Sequence, residues 1–210
     1  PDDPITARGV GHVPVSYAAL LDKGALRGAR LGILREPIGY AVEPRSDDFA
    51  KVSEVFDKAI EDLRIAGADV VDPVVIPDLK ALLATRAWNI DVEDAAFRAY
   101  AAGSDHAPFG SRQEAMASPL YAEVLRGARA RWENPEPLPQ YHAYLEAREL
   151  LMTFFLKTMA DHRLDAIVHK AVEHQPTLIR DGVNPPYVDQ KGAPHLNTFL
   201  IFVPSVVVPA

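Results

Sequence analysis

Three histidines, His169, His174 and His195, gather near the carboxyl end of the chain, with Asp189 between the last two. Imidazole ligates metals and moves protons near neutral pH, so the group is first weighed as a metal centre. Its spacing matches no zinc signature, and no metal is expected there. The chain has no cysteine, which excludes thiolate catalysis and disulfides. His169 closes the apolar run "LDAIVH" and reads as a packed residue with a satisfied ring nitrogen. His174 lies farther out, in the loop after that run, and open parallel sheets bind ligands just beyond the carboxyl ends of their strands. His174, Gln175 and Thr177 are therefore the candidate substrate-binding residues, set against the plainer reading of an ordinary surface loop.

A serine nucleophile needs a base beside it. The sequence holds no G-x-S-x-G elbow, no P-loop, no dinucleotide-binding glycine fingerprint and no H-E-x-x-H. Ser104 and Ser111 each follow a glycine in turn-rich segments and read as turn residues. No serine stands next to a recognisable base, so no catalytic residue is expected within this chain. Glu61 and Arg64 sit at helical spacing and read as a solvated surface pair.

The elements that must position these residues alternate between strand and helix. "RLGILR" (Arg30 to Arg35) is a short apolar run after Gly28 and reads as a buried strand. In the next segment Phe49, Val52, Phe56, Ile60 and Leu63 recur at helical spacing. Ser46 can cap this helix, Asp47 and Asp48 suit the positive end of its dipole, and Gly67 can end it in the left-handed conformation. "ADVVDPVVI" resumes as a strand, making a βαβ unit with parallel strands and a right-handed crossover.

Residues 76–162 read as a mostly helical layer or insertion. One helix carries Leu79, Leu82, Leu83 and Ile90, and a second carries Leu120, Val124 and Leu125. A long third presents Tyr141, Tyr144, Leu145, Met152, Phe155, Leu156 and Met159 on one face. "LDAIVHK" is again a buried strand, followed by a polar loop, a short helix at "NTFLIFV" and a final strand at "SVVVPA". The fold class is α/β, a parallel or mixed sheet covered by helices. No internal repeat is present.

Composition narrows the partners. A net charge of -7 with scattered basic residues argues against a nucleic-acid surface. No apolar run reaches the roughly 18 residues of a membrane helix, and "PDDPIT" lacks the features of a secretory leader. Cytoplasm is the default compartment. Proline, 18 of 210 residues against about 5% on average, clusters at Pro135, Pro137 and Pro139 and at Pro185 and Pro186, where two surface loops are expected. The chain starts at Pro1 and stops in the apolar "TFLIFVPSVVVPA", whereas natural termini are usually polar. It therefore reads as an excised piece, with Val206 to Val208 as a strand at an open sheet edge.

Several phrases resemble the carboxyl-side half of amidase signature enzymes, serine hydrolases of carboxylic amides. "DDPIT" resembles the family's D-P-x-T segment, and "GALRGARLGILRE" its L-x-G-x-R-I-G-V-L-R strand. "VFDKAIEDLRIAGADVVDPV" is similar to the helix and strand reading A-x-x-x-L-x-x-A-G-A-x-V-V. "LDAIVHKAVEHQPT" resembles the D-A-I-V-x-P strand and pocket loop, and "VPSVVVPA" resembles G-x-P-A-x-x-V-P-A-G. The likeness is weak from Pro77 to Arg148. Lys170 departs from it where proline is common, and Phe202 where glycine is common.

The resemblance implies one amidase-signature domain of which residues 1–210 are a part. It also implies hydrolysis of a small-molecule amide through a serine acyl-enzyme, with no cofactor. The family's nucleophile, its cis serine and its lysine lie in a Gly- and Ser-rich segment upstream, and this sequence contains no such segment. The chain is thus expected to supply scaffold and part of the pocket, with a second copy or the rest of the domain as its partner. A noncatalytic scaffold subunit and an amidotransferase A-type subunit are the alternatives.

Overall fold

The computed structural model describes residues 9–36, 45–87, 90–119, 138–186 and 203–209. Within these, three short strands form one parallel sheet in the order β2-β1-β3: β1 is Arg30–Leu34, β2 Asp69–Val74 and β3 Ala166–Val168. The α/β reading holds. β2 carries Pro73, whose missing N–H is tolerated because β2 is an edge strand among the described residues and its register with β1 shifts between Gly32 and Leu34.

Helix α1 (Asp47–Ile65) joins β1 to β2 and follows its sequence signals closely. Ser46 Oγ accepts the Phe49 amide at 3.2 Å, and Asp47 and Asp48 occupy the first turn. At the other end Gly67 takes φ +98°, while the Gly67 and Ala68 amides donate to the Arg64 and Leu63 carbonyls. That is a Schellman ending, which leaves few carbonyls unsatisfied before the chain enters β2.

Strand alternation sorts the core onto two faces. Ile33, Val70 and Val168 point to α1 and pack with Phe56 and Ile60. Leu34, Val71, Val74 and Ile167 point the other way, into a larger core with α2 (Leu79–Ala84) and α5 (Leu138–His162). Gly32 faces that larger core, where a Cβ would lie 2.5 Å from Leu164 Cδ1 and 3.0 Å from Val74 Cγ1. The sheet is thus covered by helix on both sides, the usual solution for parallel strands with two apolar faces.

The structure corrects several expectations. Leu79, Leu82, Leu83 and Ile90 do not share one helix: α2 stops at Ala84, and Ile90 begins α3 (Ile90–Ala102). At the stop the Thr85 amide and hydroxyl both donate back to the Leu82 carbonyl, at 3.0 and 2.7 Å. Pro139 lies inside the first turn of α5, where no backbone donor is needed, so it is not a loop residue. On α5, Leu156 is exposed, whereas Tyr144, Ala147 and Leu151 are buried.

The polar loop after β3 contains a short helix, α6 (Ile179–Val183). Residues 203–209 form no strand, and Val206, Val207 and Val208 are exposed. The helix expected at Leu120, Val124 and Leu125, most of "NTFLIFV" with Phe202, and Pro135 and Pro137 lie outside the described residues.

The chain divides into two compact units, Pro1–Lys23 with Trp88–Leu138, and Gly24–Ala87 with Pro139–Ala210. The first contains α3 and α4 (Arg112–Ala117). There Arg112 donates to Glu93 at 2.7 Å and lies over the Phe97 ring. Ser104 and Ser111 act as turn and cap residues: Ser104 Oγ accepts the His106 amide, and Ser111 Oγ accepts the Glu114 amide at the start of α4. The second unit holds the whole sheet.

Candidate functional site

The carboxyl ends of β1 and β3 lie beside the amino-terminal half of α1, and charged groups collect there. Phe49, Ser53, Phe56 and Ile60 are four, three and four residues apart, so one helical face carries an apolar seam interrupted by a serine. Because Val168 packs against Phe56 and Ile60, the chain leaving β3 emerges beside that serine.

Lys170 is the consequence. It is only 4% exposed, its Nζ donates to Ser53 Oγ at 2.8 Å, and it sits 4.5 Å from the centre of the Phe49 ring. Desolvation is the largest influence and pulls the amine below the ordinary lysine value. Glu173, fully buried three residues on, and Asp57 oppose that shift, while Arg35 adds to it.

Arg35 follows β1 directly. Its Nε and Nη2 grip the two carboxylate oxygens of Asp72 at 2.6 and 2.9 Å, and its Nη1 reaches Asp57 at 3.0 Å. The fork of hydrogen bonds from Arg35 holds the Asp72 carboxyl below its ordinary range. Asp57 faces this group from α1, as Ser53 does one turn earlier, so the end of β1, the end of β2 and one helix face share a charge network.

The loop after Lys170 climbs toward the start of α1. His174 Nδ1 lies 2.6 Å from Asp48 Oδ2 in the first helical turn, and Gln175 Oε1 accepts from Lys51 Nζ at 3.4 Å. Thr177 is half-buried just before α6. Of the three residues singled out in the sequence, His174 and Gln175 are thus brought onto one helix, and Thr177 lies past it.

His169 Nδ1 sits 2.7 Å from the Lys170 carbonyl, a packed histidine with a satisfied ring nitrogen. His195 and Asp189 lie outside the described residues, among which no group of three or more His, Asp or Glu is placed to hold a metal ion. Chemically, the arrangement offers a buried amine touching a hydroxyl, a carboxylate beside it, and a histidine paired with an aspartate.

Sequence reasoning missed the amine and the hydroxyl. No serine was expected beside a base, yet Ser53 touches Lys170. Two signals pointed there: Ser53 breaks an otherwise apolar helical seam, and Lys170 replaces the proline common in the resembled family.

No family model and no curated protein matches the chain. Among solved structures it is similar to an amidase family protein from Bacillus anthracis str. Ames, with a TM-score of 0.50 and 16% identity. The match covers 84% of this chain and 34% of that one, so the chain spans about a third of its neighbour's length. At that identity the likeness is one of fold, the α/β arrangement of an amidase family protein.

Proposed function

We propose that this chain is part of an amidase that hydrolyses carboxylic amides through a serine acyl-enzyme. In this reading it supplies the scaffold and one wall of the substrate pocket, and the serine of the amide reaction lies on a stretch outside these 210 residues. The observation that carries the proposal is the loop leaving the carboxyl end of β3, which is held to the first two turns of α1 by Lys170 on Ser53, His174 on Asp48 and Gln175 on Lys51. Such a loop is where an open parallel sheet meets its ligand. The fold likeness to an amidase family protein supports the same reading.

His174, Gln175 and Thr177 then face or border the amide substrate, with Asp48 orienting the imidazole. The test is His174→Ala in the enzyme that contains this chain, assayed against a panel of aliphatic and aromatic amides. The expected result is a change in kcat/KM of about tenfold for some amides and little for others, with the melting temperature nearly unmoved. A variant that loses its fold while its kinetics stay unchanged at low temperature would assign His174 to structure and overturn its place on the pocket wall.

A further inference from the structure

We propose that Ser53 is a second nucleophile, an acyl-accepting hydroxyl whose proton is taken by Lys170. The inference stands apart from the amidase reading, whose serine lies elsewhere, and it rests on the contact within this chain: 2.8 Å between Lys170 Nζ and Ser53 Oγ.

A serine hydroxyl attacks a carbonyl only when a base removes its proton, and a lysine is a base only when it can be neutral. The surroundings of Lys170 shift it toward that state. The side chain is almost wholly buried, the Phe49 ring covers it, and burial lowers its affinity for a proton. Glu173 and Asp57 favour the ammonium and Arg35 disfavours it, and desolvation outweighs them. The net effect is an amine that holds its proton less tightly than an ordinary lysine.

Ser53 itself is half-buried, and it belongs to the apolar seam of α1 at the carboxyl end of the parallel strands. A small, activated acyl donor, such as an ester with a good leaving group, is the class of substrate that such a hydroxyl and amine attack most readily.

In the step, Ser53 Oγ bonds to the carbonyl carbon while its proton moves to Lys170 Nζ. The bond from that carbon to the leaving group then breaks. The Lys170 ammonium returns its proton to the departing oxygen. The product is an ester on Ser53, with no oxidant, reductant or metal consumed.

The test uses the full 210-residue chain, incubated separately with p-nitrophenyl acetate and with a small fluorophosphonate, followed by intact mass and peptide mapping. One acetyl or phosphonyl group is expected, mapped to Ser53 and absent in Ser53→Ala. Lys170→Met should slow labelling at least about 100-fold, as loss of a general base does, with unchanged far-UV circular dichroism. If that variant does not fold, Lys170→Arg keeps a cation beside Ser53 yet cannot accept a proton, and it should show the same loss. The wild-type rate should rise with pH through an amine titration below the ordinary lysine range. The proposal is overturned by no adduct, by an adduct that survives Ser53→Ala, by acylation of the Lys170 amine instead, or by a Lys170→Arg chain that labels at the wild-type rate.

Discussion

The two ends of the parallel sheet use the same kinds of residue for different ends. At the amino end, Arg30 donates Nε to the His162 carbonyl at 2.7 Å and pairs with Asp69, while its own amide donates to Asp165 at 2.8 Å. The Arg30 and Asp69 side chains are 39% and 57% exposed, so water shares these charges and their net worth is small. At the carboxyl end, Asp72 is only 13% exposed in the grip of Arg35, and Lys170 is buried against Ser53. Exposure decides the outcome: a solvated pair fixes register, whereas a desolvated cation acquires altered acidity.

The largest effect should come from the packing beneath the charged end. Leu34 closes β1 there and is fully buried, so Leu34→Ala should lower unfolding free energy by about 2–5 kcal/mol in urea titration. A loss well under 1 kcal/mol would mean that this end is loosely packed, and the contrast with the amino end would weaken.

Next, the comparison can be put to two aspartates of one strand. Asp72→Asn removes the charge that the Arg35 fork holds and should cost about 1–3 kcal/mol. Asp69→Asn, at the exposed end of β2, should cost below about 1 kcal/mol. Equal costs would erase the distinction.

The smallest effect is in pH dependence. Asp72 is held below its ordinary range when folded, so its stabilisation is present above the ordinary carboxylate value and is lost as pH falls through the folded one, below about pH 4. Lys170 is also pulled down, which means the folded state binds fewer protons between its folded and its ordinary value; stability should rise with pH across that alkaline window. Melting temperatures measured against pH should lose the acid slope in Asp72→Asn and the alkaline slope in Lys170→Met. Slopes that survive both substitutions would place the titrating groups elsewhere.

Much of this architecture was legible in the chain because its signals are local. Ser46, the seam from Phe49 to Ile60, and Gly67 each act within a few residues, and α1 follows all three. The strands at Arg30, Asp69 and Ala166 likewise follow from short apolar runs bounded by turns. Reading failed where a competing local contact was invisible in the pattern. Thr85 folds back on the Leu82 carbonyl where α2 stops short of Ile90, and Pro139 enters α5 because a first turn needs no donor. It failed again at Val206 to Val208, whose apolar run predicts a strand although a strand exists only where a neighbour supplies the ladder.

The site divides along the same line. By itself the sequence determined that a loop follows β3, that it carries His174 and Gln175, and that α1 offers Asp48, Lys51 and a lone Ser53 on its early turns, since these depend on order and period alone. Only the tertiary structure decided that Lys170 meets Ser53 across 117 residues and that His174 meets Asp48 across 126. Those meetings depend on β3 pairing with β1 while Val168 packs on Phe56 and Ile60. The same packing strips water from Lys170, and its chemistry follows from that burial, which no spacing along the chain encodes.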